Sequence, residues 1–150
     1  MTLRVPPVLQ VLVCGVISWG TSCLAPFLAF SGSWRLAFAG LFLAIGAIIL
    51  VLAVRAFVRV RTTVNPLSPE EADTLVTNGL YRLSRNPMYL AMACLLVGVA
   101  FLIGNLAAFI GPVLFVLVMT ALQIKPEERA LHSKFGEAFL VYCRRTRRWI

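Results

Sequence analysis

Acidic side chains are scarce in this sequence. Its 150 residues contain six Asp and Glu against fourteen Lys and Arg, and 13% are charged while 60% are hydrophobic. A composition this apolar excludes an ordinary soluble domain. The positive charge does not indicate a nucleic acid partner, because the basic residues lie between apolar runs, where they match anionic lipid headgroups. The sequence therefore predicts a protein that crosses a membrane several times.

Motifs for nucleotide binding, metal binding and hydrolysis are missing. No Gly-x-Gly-x-x-Gly run and no phosphate-loop lysine occur. His132 is the single histidine and has no histidine or cysteine at ligand spacing, so no metal site is predicted. The four cysteines show no close pairing, which indicates small buried side chains and not a disulfide framework. No serine has the Gly-x-Ser-x-Gly setting of an esterase, so hydrolysis is unsupported.

Apolar runs determine the predicted fold, which is all-α with four transmembrane helices. A helix needs about 20 apolar residues to cross roughly 30 Å of hydrocarbon. The predicted spans are residues 8–30, 34–54, 87–103 and 106–124. Gly104 and Asn105 make a tight turn between the last two spans, which should therefore form an antiparallel hairpin. No charged residue lies deep in a span, as an ion or proton relay would require.

Basic residues lie almost entirely on one side of these spans. The loop 55–86 carries five arginines and the tail 125–150 carries seven basic residues, whereas the turns on the opposite side carry only Arg35. By the positive-inside rule the loop, the tail and both termini are cytoplasmic. All six acidic residues fall on the same side. We therefore expect a single domain over residues 1–150, with any carboxylate chemistry on its cytoplasmic face.

The stretch Gly79–Leu90 runs from a cationic segment directly into the third span. Asn86 before Pro87 signals a helix start, with asparagine as the capping residue and proline at the first helical position. The N-terminus of this helix, beside Arg82 and Arg85, suits an anionic carboxylate or phosphate. An interfacial anchor, with arginines at lipid headgroups, explains the same residues. The sequence leaves both interpretations open.

The loop and the tail complete the cytoplasmic side. Two prolines in residues 62–69 exclude a continuous helix, so this part of the loop is expected to be an extended wall of a site or a solvated connector. The tail from Pro126 has apolar residues at helical spacing, which predicts an amphipathic helix on the membrane surface, broken near Gly136. The basic residues 144–148 are interpreted as a surface anchor.

Two adjacent glutamates follow the fourth span directly. Glu127 and Glu128 would face an anionic headgroup layer, which requires a cation nearby, and the candidates are Arg82, Arg85, Lys125 or a cationic ligand. Because the last two spans form a hairpin, the start of one and the end of the other must meet. We therefore expect Asn86 and Tyr89 to lie near Glu127 and Glu128.

These motifs resemble the membrane methyltransferases related to isoprenylcysteine carboxyl methyltransferase and to phospholipid methyltransferases. The resemblance rests on residues 79–90, which match an Arg-His/Asn-Pro-x-Tyr core, on residues 126–131 and 135–137, and on the ending 142–149. Residues 62–66 resemble the loop of the bacterial members. The family implies S-adenosylmethionine as methyl donor, bound at the cytoplasmic ends of the last helices and enclosed by the tail. It also implies a lipophilic acceptor that enters from the bilayer.

The resemblance also implies a set of site residues. The cofactor-binding residues would be Gly79, Leu80, Tyr81, Arg85, Asn86, Pro87, Tyr89 and Glu128. The catalytic residues would be Asn65, Glu127 and Glu128. Two positions depart from the family pattern, since Asn86 replaces the histidine of eukaryotic members and Gln123 replaces an arginine before the glutamates. The second departure weakens the case for a prenylcysteine carboxylate as acceptor, unless Lys125 substitutes.

The sequence leaves two methyl acceptors and two classes of function open. A prenylcysteine-type carboxylate is already nucleophilic, whereas a lipid amine with a pKa of about 10 must first lose a proton, which would make Glu127 or Glu128 a general base. The alternative function is a non-catalytic small membrane protein that binds lipid or a partner through its basic tail. The oligomeric state does not follow from the sequence.

Overall fold

The computed structural model describes residues 5–59 and 75–150. Its regular elements are helices, which confirms the predicted all-α class. The α-helices are α1 (Pro7–Leu24), α2 (Ser33–Arg59), α3 (Pro87–Ile103), α4 (Ile110–Met119), α5 (Lys125–Phe135) and α6 (Glu137–Arg145). Short 3-10 turns cover Pro26–Leu28, Gly79–Arg82 and Leu106–Phe109, and a π turn, Thr120–Ile124, joins α4 to α5.

Three stretches of helix in the described residues are long and apolar enough to cross a membrane, namely Pro7–Leu24, Ser33–Ala56 and Leu106–Phe135. α3 is apolar but shorter, at 17 residues, so the count of four spans stays a prediction. The first predicted span was too long: α1 ends at Leu24, because a proline at position 26 starts a separate 3-10 turn. The fourth helix runs past residue 124 without a break into α5.

Large apolar side chains cover the outside of the helices. Val16 of α1, Ile48 of α2 and Leu117 of α4 are each more than half exposed. A soluble protein rarely exposes so much apolar surface, whereas lipid tails solvate such side chains well. The structure therefore agrees with an integral membrane protein.

The turn between α3 and α4 forms as predicted. Gly104 has the left-handed φ of 72° that glycine adopts without a steric penalty. The side chain of Asn105 accepts a hydrogen bond from the Ala107 N–H at 2.8 Å, and its Nδ2 donates to the Ala25 carbonyl at 2.9 Å. These bonds close the α3–α4 hairpin and tie the end of α1 to it.

Glycines allow α2 and α3 to pack closely. A Cβ atom on Gly46 would lie 3.0 Å from the Ala91 carbonyl oxygen, and one on Gly98 would lie 3.2 Å from the Ala39 carbonyl oxygen. Small residues at such crossings let two helix backbones approach each other in a membrane. Gly40 of α2, by contrast, has no neighbouring atom within 4 Å of its Cβ position.

We expect Gly98→Val to destabilise the fold. A Cβ at this position would lie 2.8 Å from the Leu43 side chain as well as close to the α2 backbone, so α2 and α3 would have to separate. Overpacking of this kind costs about 1–3 kcal/mol, which should lower the midpoint of thermal unfolding in detergent by several degrees. Gly40→Val is the matched control, because the space around Gly40 is open. Equal midpoints for both variants would refute this packing role.

Candidate active site

Tyr89 and Glu127 meet at one end of the α3–α4 hairpin. Tyr89 lies in the first turn of α3 and is 6% exposed, and Glu127 lies in the first turn of α5. The Tyr89 hydroxyl donates to the Glu127 carboxylate, with its Oη 3.0 Å from Oε1 and 3.1 Å from Oε2. The start of α3 and the start of α5 therefore lie side by side, as expected from the hairpin.

Glu128 lies between two arginines. Its Oε1 is 2.8 Å from Arg85 Nη2 and 3.0 Å from Arg148 Nε, and its Oε2 is 2.6 Å from Arg148 Nη2. The side chains of Arg85 and Glu128 are 12% and 17% exposed, so this pair is shielded from water far more than a surface ion pair. The hydrogen bond to Glu128 raises the pKa of the Arg148 guanidinium. We call these three residues the Arg85–Glu128–Arg148 array.

The end of the chain returns to the segment before α3. The Arg85 N–H donates to the Arg147 carbonyl at 2.9 Å, and Ser84 and Arg147 form a short parallel bridge. Arg85 Nη1 also donates to the Thr146 carbonyl at 3.0 Å. Asn86 stands at the predicted N-cap position, but its side chain does not cap α3. Instead, Asn86 Nδ2 donates to the Arg148 carbonyl at 2.9 Å, so this residue holds the tail in place.

The last residues of the chain also contact the π turn, in addition to the segment before α3. Thr120 Oγ1 donates to the Val116 carbonyl at 2.6 Å and accepts the indole N–H of Trp149 at 3.1 Å. Gln123, in the same turn, is 2% exposed. A π turn contains one residue more than an α-turn and often occurs at functional sites, because it rotates the residues that follow it. Here those residues are Glu127 and Glu128.

Tyr142 joins α6 to the 3-10 turn before α3. Its hydroxyl donates to the Tyr81 carbonyl at 2.7 Å, and both side chains are buried. Burial raises the pKa of Tyr142 and the pKa of Tyr81 well above the usual tyrosine range. Both hydroxyls therefore stay protonated at neutral pH. Between α5 and α6 the chain breaks at Gly136, at a φ of 53°, as predicted.

Comparison with protein families decides the class of this chain. Residues 34–138 match the model of a family described as phospholipid methyltransferase. The chain belongs to the phospholipid methyltransferase family. An uncharacterized protein of Haemophilus influenzae is 38% identical over 63 residues, which cover 42% of this chain and 100% of that protein. No solved structure matches the chain.

The phospholipid methyltransferase family consists of membrane-embedded transferases, so this chain is assigned to that class. The matched range includes α3, the π turn, α5 and the residues Arg85, Tyr89, Glu127 and Glu128. It ends before Arg148, so the family match covers only two of the three residues of the Arg85–Glu128–Arg148 array.

The remaining predicted site residues differ in burial, and one of them lies outside the described residues. Pro87 is buried at the first position of α3, and Leu80 is half-buried in the 3-10 turn. Gly79 has a φ of 62° and open space where a Cβ would lie, so a ligand could approach its backbone. Asn65 lies outside the described residues, as does the whole segment 62–66.

Two residues of the site were not expected from the sequence. Arg148 was interpreted as part of a surface anchor, and this interpretation is wrong, because the residue pairs with Glu128. The surface interpretation fits Arg144, whose partner Glu137 is 68% exposed. Trp149 was noted only as part of the family-like ending, yet it packs beside Thr120. One sequence signal pointed toward Arg148: the adjacent Glu127 and Glu128 need a positively charged partner nearby.

A cleft opens beside the Arg85–Glu128–Arg148 array. Its volume is about 370 Å³, within the range of small-molecule sites. It is lined by Lys125, Glu128, Arg129, His132 and Arg148. Because four of these five side chains are basic, we call it the basic cleft.

We expect Tyr142→Phe to loosen the tail. The substitution leaves the buried Tyr81 carbonyl without its hydroxyl donor, which costs about 1–3 kcal/mol. Hydrogen exchange of the backbone amides of residues 80–85 and 137–148 should become faster. The amides in the middle of α3 should exchange as in the wild type, which provides the internal control. Unchanged exchange in both tail-contacting segments would contradict the proposed contact.

Proposed function

We propose that this chain transfers a methyl group from S-adenosylmethionine to a lipophilic acceptor that enters from the bilayer. The supporting observation is the Arg85–Glu128–Arg148 array beside the Tyr89–Glu127 pair, at one end of the α3–α4 hairpin. By the positive-inside rule, we place this end and both termini on the cytoplasmic side of a bacterial inner membrane. We treat residues 1–150 as one functional domain.

The residues fit the amino-acid part of S-adenosylmethionine, which carries a carboxylate and an ammonium group. Arg85 Nε is buried and has no hydrogen-bond acceptor among the described residues. A buried donor of this kind is costly unless it gains a partner, and the cofactor carboxylate would be one. The Glu128 carboxylate supplies the opposite charge for the ammonium. The positive end of the α3 helix dipole, at Pro87, also favours an anion.

Backbone and aromatic groups complete the proposed cofactor site. Gly79, Leu80 and Tyr81 supply main-chain contacts next to Arg85, and Asn86 and Pro87 lead into α3. Tyr89 brings a phenol ring to the same end of the helix. Aromatic faces attract cationic groups, a sulfonium included. These assignments rest on the family resemblance together with the proximity of the residues.

The chain does not need a nucleophilic side chain for this reaction. When bound, S-adenosylmethionine supplies a methyl group on a positively charged sulfur. In-line transfer depends on positioning and on electrostatic stabilisation, and both can come from fixed side chains. Tyr89 holds both oxygens of Glu127 within hydrogen-bond distance, so that carboxylate keeps one orientation. Asn65 is proposed for the catalytic set on the family resemblance alone.

A lipid amine suits this site better than a prenylcysteine carboxylate. Glu128 is already paired with Arg85 and Arg148, so the repulsion of an acceptor carboxylate would come from Glu127. Position 123 also has a buried glutamine where the family pattern has an arginine. An ammonium acceptor would be attracted, and Glu127 can take its proton. The bound cofactor would supply its methyl group to the deprotonated amine nitrogen, and Glu127 would hold the proton of the amine until it passes to water.

Cofactor binding and methyl transfer test this proposal separately. Calorimetry on the detergent-purified chain should show saturable binding of S-adenosylmethionine. A screen with labelled cofactor should then show transfer to lipids with a primary or secondary amine and not to prenylated thiols. Absence of binding would reject the proposal and favour the non-catalytic lipid-binding alternative. Transfer to a prenylcysteine carboxylate would reject the choice of acceptor.

A further inference from the structure

Gln123 is a buried amide in the apolar part of the chain. It lies in the π turn Thr120–Ile124, is 2% exposed, and is among the largest fully buried side chains of the described residues. A buried amide costs free energy unless hydrogen bonds replace those that it makes with water. A glutamine in this position therefore indicates a polar contact between the π turn and another part of the fold.

The Tyr89 hydroxyl takes part in that contact. It forms hydrogen bonds with the Gln123 side chain as well as with Glu127. A tyrosine hydroxyl has one proton and accepts through its oxygen, and its proton already points to the Glu127 carboxylate, with distances of 3.0 and 3.1 Å. The Gln123 amide N–H must therefore donate to the Tyr89 oxygen. We call these three residues the Gln123–Tyr89–Glu127 chain, because their hydrogen bonds run in one direction.

The Gln123–Tyr89–Glu127 chain fixes the rotation of the Tyr89 hydroxyl. A donor on the hydroxyl oxygen leaves the O–H group directed at Glu127, and it also strengthens the hydrogen bond that the hydroxyl donates. Tyr89 is 6% exposed, so little water competes for its oxygen. The orientation of the Glu127 carboxylate therefore depends on a residue that precedes it by four positions and lies in a different turn.

The amide of Gln123 supplies this hydrogen bond without adding a charge. A lysine or an arginine would also donate to Tyr89, but its positive charge would stabilise the carboxylate form of Glu127 and make it a weaker base. A glutamate would have no proton to donate at neutral pH and would repel Glu127. A methionine has a similar size but no donor. Glutamine is thus the residue type that holds Tyr89 and leaves the charge of Glu127 unchanged.

We propose that Gln123 is a positioning residue for methyl transfer and acts through Tyr89 on Glu127. This inference rests on the proposed function, in which Glu127 takes the proton of a lipid amine. Gln123 itself contacts neither the acceptor nor the cofactor in this scheme. It commits the Tyr89 proton to Glu127, which holds the carboxylate in one orientation toward the amine. Its loss should therefore change the rate of transfer and not the affinity for S-adenosylmethionine.

Gln123→Met removes the donor and keeps the size of the side chain. The kcat for transfer to a lipid amine should fall about 10- to 100-fold, the cost of a misplaced catalytic group. The acceptor KM and the dissociation constant of S-adenosylmethionine should change less than about threefold, because uniform binding is unaffected.

Gln10→Met is the matched control. Gln10 is also a buried glutamine, at 6% exposure, and its Nε2 donates to the Val5 carbonyl at 3.0 Å, outside the Gln123–Tyr89–Glu127 chain. This variant should keep kcat within about twofold of the wild type. An equal loss of kcat in Gln10→Met and Gln123→Met would show a general need for buried amides and would overturn the proposal.

A double-variant cycle with Tyr89→Phe separates positioning from packing. If Gln123 acts through the Tyr89 hydroxyl, Gln123→Met should change kcat less than about twofold once that hydroxyl is absent. A packing role would instead give the product of the two single losses, and that result would refute the positioning role. Saturable binding of S-adenosylmethionine, measured by calorimetry on each variant, shows that the variant is folded.

Thermal unfolding keeps this inference distinguishable from the proposed function. The same cycle gives four unfolding midpoints in detergent, and none of them requires turnover. The midpoint of the double variant should fall by less than the sum of the two single decreases, because both substitutions remove the same hydrogen bond. Transfer by the wild type together with additive midpoints would reject the positioning role alone. Absence of transfer by the wild type would reject the proposed function, and the positioning role with it.

Discussion

Glu127→Gln should lower the rate of methyl transfer to an amine acceptor by about 10²- to 10⁴-fold, the usual contribution of a general base. Glutamine keeps the size of the side chain and can still accept a hydrogen bond from Tyr89, but it cannot take a proton at neutral pH. The dissociation constant of S-adenosylmethionine should stay within about threefold. Single-turnover transfer and calorimetry on the same preparation measure the two effects.

The pH dependence of this variant tests the acceptor as well as the residue. A lipid amine with a pKa of about 10 loses its own proton as the pH rises, so the activity of Glu127→Gln should rise with pH toward that value. The wild type should show a weaker dependence, because Glu127 removes the proton at lower pH. A rate that does not increase between neutral pH and pH 9 would exclude the general-base role. Full activity at neutral pH would exclude it directly.

Glu128→Gln should act on cofactor binding. The amide removes the charge that we assign to the cofactor ammonium, and a hydrogen bond to a charged group contributes about 1.5–3 kcal/mol. Because about 1.4 kcal/mol corresponds to a tenfold change, the dissociation constant of S-adenosylmethionine should rise about 10- to 100-fold. The variant also leaves the guanidinium groups of Arg85 and Arg148 close together without a shared anion, which should lower the midpoint of thermal unfolding.

Glu137→Gln is the matched control for this experiment. Glu137 also pairs with an arginine, Arg144, at 3.3 Å, but the two side chains are 68% and 72% exposed. Exposed pairs contribute little to stability, and this one lies outside the proposed site. Cofactor affinity and thermal midpoint should both match the wild type. A dissociation constant for Glu128→Gln equal to that of the control would remove Glu128 from the cofactor site.

Local sequence signals predicted some of these features well. The αL glycine at position 104 and the proline at position 87 marked the end and the start of α3, because each residue type has a backbone preference that acts without distant contacts. The break at Gly136 follows the same rule. Side-chain contacts between distant segments were predicted less well. The Asn86 side chain was expected to cap α3, but it donates a hydrogen bond to the tail instead.

The sequence by itself determined the apolar helices, the α3–α4 hairpin and, through that hairpin, the meeting of Tyr89 with Glu127. These features follow from local composition and from chain connectivity, which forces the two ends of a tight hairpin together. Only the tertiary structure decided that Arg148 completes the ion-paired array with Glu128, 20 residues away. The π turn and the returning tail set that contact, and no local signal distinguishes an arginine that forms such an ion pair from one that only faces the membrane surface.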